Sequence, residues 1–283
     1  MTKTRLLAAL IMAPIAILSV LFMSTPMLAA LSALMFLAAL WEWLKLADVD
    51  DTLARTILLV LNLALMVALV WASRSTSGFS FVLFQLATVI GVIWWLLSML
   101  WLKHYDFASD HDTHGRVFKL AAGTLAVVPA WCALVLIHAD SPSGHRWLLL
   151  ALFLVWSADT GAYFTGRKFG GKWFGGRKLA PRISPNKSIE GLLGGLMLAL
   201  VVAMIGAPLA GASVDQLPAV ALVALASVSF SVVGDLFESL LKRHINVKDS
   251  GDLIPGHGGV LDRVDSVLAA LPVFALGKIW LGF

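Results

Sequence analysis

The sequence has few charged residues and almost no cysteine. Only 13% of its 283 residues are charged, whereas 59% are hydrophobic, and the mean hydropathy is +0.88. A composition this apolar excludes an ordinary soluble domain. The single cysteine, Cys132, lies within an apolar run, which rules out a disulfide framework and a cysteine-based metal site. The sequence therefore predicts a protein that resides in a membrane.

Several common functional motifs are also missing. The chain has no Gly-x-x-x-x-Gly-Lys-Ser/Thr motif, which argues against a P-loop nucleotidase. It has no Gly-x-Ser-x-Gly motif, which argues against a lipase. The isoelectric point of about 9.3 could suggest nucleic-acid binding. However, the basic residues are confined to short loops, where the positive-inside rule explains them, so we expect no nucleic-acid partner.

Nine apolar runs are long enough to cross a bilayer, which takes about 20 residues per helix. They cover approximately residues 6–23, 25–46, 55–73, 79–102, 117–139, 147–166, 190–213, 217–241 and 260–281. Membrane β-barrels show short alternating segments instead. The predicted fold class is therefore an all-α polytopic membrane protein with about nine transmembrane helices. Lys3 and Arg5 precede the first run as in a signal peptide, but that run is long and leads almost directly into the second, so we expect an uncleaved helix.

The basic residues predict the orientation of these helices. With the N-terminus in the cytoplasm, all but three of the 21 lysines and arginines fall on the cytoplasmic side, the exceptions being Arg74, Arg146 and Lys278. Nine spans then place the C-terminus on the opposite side. This bias fits a bacterial inner membrane with the functional site facing the cytoplasm.

The first five spans, in residues 1–140, carry few ionisable groups. Their tryptophans, which include Trp43, Trp95 and Trp101, are typical of the aromatic belts at membrane interfaces. Glu42 lies at a helix end, where we expect it to be solvated, and we give it no role in a site. Residues 141–283 hold spans six to nine and the predicted cytoplasmic loops 167–188 and 242–259, and we interpret them as the catalytic region.

The sixth span contains one carboxylate, and a basic loop follows directly after that span. Asp159 lies near the cytoplasmic end of an otherwise apolar helix, where it needs a partner or a cation. The loop Arg167–Lys187 contains seven Lys/Arg and four glycines, whose charges and backbone N–H groups suit phosphate. Attraction to anionic lipid explains the loop equally well. Ser184 or Ser188 can cap the seventh span, and Gly191 and Gly195 favour close helix packing.

The densest group of charges lies between Gly234 and Ser266. Two pairs of acids, Asp235 with Glu238 and Asp262 with Asp265, are each spaced three apart, so each pair shares a helical face. Two helices that each present two acids can hold Mg²⁺ together with substrate phosphates. Ion pairing with neighbouring lysines and arginines is the alternative. The residues alone leave two classes open, a metal-dependent membrane enzyme or a cation-coupled transporter. The clustering of the acids at one face, without an inverted repeat, argues against the transporter.

The polar positions of this stretch resemble the signature of the phosphatidate cytidylyltransferases, also called CDP-diacylglycerol synthases. The resemblance runs through Ser239-Leu-Leu-Lys242-Arg243, Lys248-Asp249-Ser250-Gly251, Pro255-Gly256-His257-Gly258-Gly259, Asp262-Arg263 and Asp265. Two further stretches, 159–170 and 178–191, are also similar to the family. The resemblance covers the C-terminal half well and the first half only by hydropathy.

The resemblance implies that CTP and phosphatidate, a membrane lipid, react to give CDP-diacylglycerol and pyrophosphate, in a reaction that depends on Mg²⁺. One or two divalent ions would be bound, and a monovalent cation is not excluded. The implied metal ligands are Asp235, Asp262 and Asp265, together with Asp159. Asp249 would be a further ligand or would orient Lys248. His257 would act as an acid at the leaving group, or only as a hydrogen-bonding group.

The implied substrate-binding residues are basic, small or hydroxyl-bearing. They are Lys178, Ser184, Lys187, Ser239, Lys242, Arg243, Lys248, Gly256, Gly258, Gly259 and Arg263. A CTP-dependent lipid or polyprenol kinase, which would transfer the γ-phosphate, remains the nearest alternative. A homodimer is a further expectation, because helices with a small-residue face can associate.

Overall fold

The structure is a computed structural model that describes residues 2–76, 78–109, 112–253 and 258–283, with side chains from Met12 onward. Within these ranges the chain forms nine α-helices: α1 Thr2–Phe22, α2 Thr25–Leu46, α3 Thr52–Ala72, α4 Val82–Lys103, α5 Thr113–Ala139, α6 Gly144–Phe169, α7 Ile189–Ala210, α8 Leu217–His244 and α9 Leu261–Leu281. It also forms four short strands, β1 Arg74–Ser75, β2 Gly78–Phe79, β3 Lys178–Ala180 and β4 Ser184–Ser188. The strands pair as two antiparallel hairpins.

Eight of the described helices, α2 to α9, are long and apolar enough to cross a membrane. The described side chains of α1 add a shorter apolar stretch, Met12–Phe22. These nine helices correspond to the nine apolar runs, so the predicted all-α polytopic membrane fold is confirmed. The hairpin β3–β4 is an addition, because the basic stretch after α6 was expected to be a loop.

The centre of the bundle is formed by α5 and α9. In their apolar 18-residue stretches, 78% and 67% of the residues are buried. Each is apolar around most of its circumference, which is the pattern of a helix enclosed by other helices. In contrast, only 11% of the corresponding stretch of α3 is buried, and several of its leucines and valines are exposed on the outside of the bundle. Helices from both halves pack together here, since α5 and α4 contact α9. The C-terminal region is therefore built against the first five helices.

Long-range hydrogen bonds join the helix ends at each of the two ends of the bundle. At one end, Arg116 at the start of α5 pairs with Asp48 after α2 (2.8 Å), and His244 at the end of α8 bonds the carbonyl of Tyr105 after α4 (2.7 Å). At the other end, Thr25 bonds His138 (2.9 Å). The first of these two ends also carries the end of α6, the β3–β4 hairpin, and the starts of α7 and α9, and we call it the site end.

Three tryptophans that were assigned to aromatic belts lie instead in the core, so the sequence interpretation was wrong for them. Trp43, Trp95 and Trp101 are buried, and all three contact the ring of Phe237 on α8. The indole N–H of Trp43 donates to the carbonyl of Lys119 and that of Trp95 to the carbonyl of Leu268. These hydrogen bonds let an amphipathic ring be buried at low cost. The cluster packs against Phe237, which lies between Asp235 and Glu238 in the acidic turn of α8.

Small residues bring α6 and α7 into close contact. A Cβ at Gly195 would lie 2.7 Å from the carbonyl of Ala158, and a Cβ at Gly161 would lie 2.6 Å from the carbonyl of Gly194. The predicted close-packing role of Gly191 and Gly195 is therefore confirmed. The small-residue face of α7, which continues through Ala199 and Ala203, is buried within the same chain. It therefore gives no support to the expected homodimer.

Candidate active site

The acidic turns of α8 and α9 meet because glycine replaces a side chain where the helices cross. A Cβ at Gly234 would collide with the carbonyl of Asp265, and would lie 3.0 Å from the Cβ of Ala269. The close approach places Asp235 and Glu238 of α8 beside Asp265 of α9.

Asp235, Glu238 and Asp265 each offer one carboxylate oxygen, and these three oxygens lie within 4.8 Å of one another. Glu238 is only 2% exposed, and its Oε1 has no hydrogen-bond partner among the described residues. Three adjacent carboxylates at a helix crossing repel one another unless a cation or protons offset their charge. An all-oxygen set of this kind fits Mg²⁺, which takes one or two carboxylates together with substrate phosphates.

The other oxygen of Glu238 pairs with Lys242, one helical turn further along α8. The ammonium group of Lys242 also lies 2.7 Å from Asp262 Oδ1. A single buried lysine therefore bridges an acid of the trio to an acid of the next helix. This bridge holds the Glu238 carboxylate in its orientation.

Asp262 lies outside the trio, although the sequence analysis grouped it with the metal ligands. Its Oδ2 accepts hydrogen bonds from the backbone N–H groups of Ser250 (3.1 Å) and Gly259 (2.8 Å). Its Oδ1 is taken by Lys242. Asp262 thus contacts Ser250 and Gly259 of the connection between α8 and α9. Glu238, which was not among the predicted metal ligands, lies with Asp235 and Asp265 instead, and the metal-binding role of each acid stays a prediction.

A cavity of about 570 Å³ opens beside the trio, between α6, α7, α8 and the β3–β4 hairpin. Its polar end holds Asp159, Asp235 and Lys187, which β4 carries towards α8 and which pairs with Asp235. Ser184 also lines this end. The remaining wall is largely apolar, with Leu192 among the side chains that line it. The cavity therefore joins charged groups to a hydrocarbon-like surface.

The other predicted binding residues surround this centre at varying distances. Ser239 lies within 3.5 Å of Asp235, and Arg243 donates to the carbonyl of Ile183 at 3.2 Å, tying α8 to the hairpin. The side chains of Lys178, Lys248, Asp249 and Arg263 are exposed at the site end.

The outer turn of the hairpin is tied to the loop that follows α4. Arg182 donates hydrogen bonds of 2.8 and 3.3 Å to the Asp106 carboxylate. This bonding raises the pKa of the Arg182 guanidinium above its ordinary value. The pair fixes the hairpin against the first half of the chain.

The described residues on either side of the gap in the connection between α8 and α9 pack tightly around Asp262. Gly258 has a positive φ of +82°, and a Cβ there would lie 2.7 Å from Asp262 Oδ2 and 3.5 Å from the Cβ of Asp249. Gly259 is equally restricted, because a Cβ would collide with Ser250 and Glu42. The predicted site residues Gly256 and His257 lie outside the described residues, so their roles stay predictions.

The glycine-rich segment before β3 is held by an acid that the sequence analysis left without a role. Glu190, at the start of α7, is fully buried and accepts hydrogen bonds from the N–H groups of Trp173 (3.1 Å) and Phe174 (3.3 Å). These two amides are therefore engaged within the chain rather than directed at a phosphate. Ser188 caps α7 by accepting a hydrogen bond from the N–H of Gly191. Of the two predicted caps, Ser184 and Ser188, the structure therefore shows Ser188.

Glu42 is a second residue that the sequence interpretation missed. It was expected to be solvated, but it is 0% exposed and contacts the connection between α8 and α9. Its partners lie 208 and 219 residues away in the sequence, so local pattern could not identify them. Glu238 did carry a signal, because it shares a helical face with Asp235.

Comparisons with known proteins find relatives along nearly the whole chain. The model of the cytidylyltransferase family matches residues 3–279. A Pseudomonas aeruginosa protein named phosphatidate cytidylyltransferase is 38% identical over 292 residues, which cover 97% of this chain and 96% of the relative. A Haemophilus influenzae protein of the same name is 35% identical over 97% of this chain and 98% of its own length. A Bacillus subtilis protein of that name is 46% identical over 129 residues, which cover 46% of this chain and 46% of the relative.

Proposed function

The chain belongs to the cytidylyltransferase family, and we propose that it transfers the cytidylyl group of CTP to phosphatidate, giving CDP-diacylglycerol and pyrophosphate. The full-length similarity to two proteins named for this activity supports the substrates. The structural observation that carries the proposal is that the acidic trio lies beside a cavity with a charged end and a largely apolar wall. The two features share one residue, Asp235.

The reaction needs positioning and charge neutralisation more than a strong base. A phosphate oxygen of phosphatidate, already ionised at neutral pH, forms a bond to the α-phosphorus of CTP. The bond from that phosphorus to the β-phosphate oxygen breaks, and pyrophosphate leaves with the electron pair. Holding two anionic phosphates in line against their repulsion is therefore the main task of the protein.

We assign the trio Asp235, Glu238 and Asp265 as the residues that would hold Mg²⁺. The ion would supply positive charge to the phosphates of CTP. The residues fit because one buried oxygen of Glu238 has no hydrogen-bond partner among the described residues. Lys242 fixes the orientation of Glu238, and Asp262 fixes Lys242.

Lys187 and Asp159 face the same cavity from the hairpin and from α6. In our proposal, Lys187 exchanges its contact with Asp235 for a substrate phosphate, which a lysine on a short strand can reach by rotating its side chain. The apolar wall contributed by α7 and α8 takes the glycerol and upper acyl region of phosphatidate. This arrangement brings a lipid and a water-soluble nucleotide to one centre.

We place the site end in the cytoplasm, where CTP is available. The basic residues of the hairpin and of the end of α8 support this orientation through the positive-inside rule. The bacterial relatives support an inner-membrane location.

The test is to incubate the purified protein with phosphatidate, Mg²⁺ and CTP labelled at either the α- or the γ-phosphate. We expect the α-label in lipid and the γ-label in pyrophosphate. The γ-label in lipid would instead identify a lipid kinase. If no label enters lipid in either incubation, the proposal is overturned and the cation-coupled transporter becomes the favoured hypothesis.

A further inference from the structure

Glu42 is a buried acid in the first half of the chain, close to the site but outside its chemistry. It lies in the last turns of α2 and is fully enclosed. Burying a carboxylate is costly unless hydrogen bonds compensate for the lost water. Its Oε2 receives two such hydrogen bonds, from Ser250 in the connection between α8 and α9 and from Leu261 at the start of α9. Its Oε1 has no hydrogen-bond partner among the described residues.

Glu42 caps the N-terminus of α9 from another helix. Its Oε2 accepts from the N–H of Leu261 at 2.8 Å. The residue in the cap position of α9 is Val260, which has no side-chain acceptor to offer. The first N–H groups of a helix need acceptors, and the positive end of the helix dipole favours an anion there. The Glu42 carboxylate supplies both the acceptor and the negative charge.

The same oxygen of Glu42 also holds the other part of the connection. Ser250 Oγ lies 3.0 Å from Glu42 Oε2 and 3.0 Å from Asp262 Oδ2. Gly251 and Gly259 pack directly against the carboxylate, because a Cβ at either position would overlap it. The chain thus passes Glu42 twice, once on leaving α8 and once on entering α9.

Through Ser250 and Asp262, Glu42 is joined to the acidic trio. Asp262 holds Lys242, and Lys242 holds Glu238. A displacement of the connection would therefore move Asp262, which would in turn release Lys242 from one of its two acids. Residues that orient metal ligands in this way affect metal affinity without touching the metal.

We propose that Glu42 is a positioning residue of the active site, which fixes residues 247–251 and the first turn of α9 so that Asp262 and Lys242 hold Glu238 in place. The proposal rests on the proposed function only for its kinetic consequence. Its structural part concerns the chain alone. It makes the second helix, which carries no residue of the trio, necessary for building the site.

The experiment compares Glu42→Ala with Asp48→Asn, an acid near the end of the same helix that pairs with Arg116. Hydrogen–deuterium exchange is followed without Mg²⁺ in peptides covering residues 245–253. We expect faster exchange there in Glu42→Ala and unchanged exchange in Asp48→Asn, because local opening follows the loss of the bonds that hold a segment. The Mg²⁺ concentration for half-maximal activity should rise about tenfold in Glu42→Ala only.

A general loss of stability would lower the yield of folded protein but leave the half-maximal Mg²⁺ concentration of the folded fraction unchanged. Glu42→Gln retains an acceptor of the same shape, so its values should lie between those of wild type and Glu42→Ala. Wild-type exchange and wild-type Mg²⁺ dependence in Glu42→Ala would overturn the proposal.

If Glu42→Ala does not fold, Ser250→Ala tests the same connection from the loop side. It should also raise exchange at residues 245–253 and the half-maximal Mg²⁺ concentration, and no change in either would overturn the proposal. Where both variants fold, the double variant should be little worse than the more affected single variant, because coupled residues are not additive. A wild-type protein without cytidylyltransferase activity would overturn the proposed function, while the exchange result would still decide the structural part.

Discussion

Gly234 of α8 lies directly against the carbonyl of Asp265 on α9, with no room for a Cβ between the two helices. This contact sets the separation of the helices that carry the acidic trio. It also explains why a glycine occupies a helix interior, where it costs about 1 kcal/mol relative to alanine.

Gly234→Ala should therefore reduce activity strongly, because the added methyl group displaces Asp265 from Asp235 and Glu238. We expect a loss of about 100-fold in kcat/KM, in line with the cost of misplacing reacting groups by about 1 Å. The rate of α-label transfer from CTP measures it. Ser229→Ala on the exposed side of the same helix is the control and should retain wild-type activity. Retained activity in Gly234→Ala would contradict the close-contact role.

Glu238→Gln and Asp262→Asn should behave differently, because only Glu238 belongs to the trio. Glu238→Gln removes a ligand, so we expect activity to fall at least about 100-fold and to stay low at high Mg²⁺. Asp262→Asn loosens the connection and Lys242, so its loss should be partly recovered by raising Mg²⁺. Titrating metal-free protein with Mg²⁺ measures both. The opposite ranking would restore Asp262 as the ligand and Glu238 as its support.

Lys242→Met should lower stability, since it leaves the buried Glu238 and the partly buried Asp262 without their shared cation. Breaking a buried ion pair from one side costs about 3–5 kcal/mol. Thermal unfolding in detergent, without added metal, measures the change. Lys248→Met, at an exposed lysine shortly after the end of α8, should leave the melting temperature unchanged. An equal effect of the two variants would show that the Lys242 bridge contributes little.

Lys187→Met should weaken substrate binding more than it slows the chemistry, because the lysine lies in the cavity rather than among the trio. A charge-assisted hydrogen bond contributes about 1.5–3 kcal/mol, which corresponds to an increase in KM of about 10- to 150-fold. Steady-state kinetics with CTP and phosphatidate varied separately shows which substrate loses the contact. An unchanged KM for both substrates would remove Lys187 from the binding site.

Glu190→Ala should release the segment before β3, because the N–H groups of Trp173 and Phe174 lose their common acceptor. We expect faster hydrogen–deuterium exchange in residues 171–176 and a loss of about 1–3 kcal/mol in local stability. Ser188→Ala provides the comparison. It removes only the cap of α7, at a cost of about 1 kcal/mol, and should leave the exchange of residues 171–176 less affected than Glu190→Ala does.

The sequence was informative wherever a property repeats along the chain. Apolar runs of bilayer length determined the helical membrane fold, because the hydrocarbon satisfies no backbone hydrogen bonds and each span must form its own. Spacing of three placed Asp235 and Glu238 on one face of α8, and the signature around Ser239–Asp265 indicated the reaction. Aromatic composition was misleading for Trp43, Trp95 and Trp101, since an amphipathic ring suits both an interface and a core that offers a carbonyl acceptor.

Tertiary structure decided which of these groups meet. The pairing of Asp262 with Lys242, the entry of Glu238 into the trio and the burial of Glu42 beneath Ser250 and Leu261 all depend on how helices cross. Those contacts join residues 20 to 219 positions apart. Helix periodicity specifies which side chains share a face of one helix, but it contains no information about the neighbour that the face will contact. Only packing, set here by glycines such as Gly234 and Gly259, determines that.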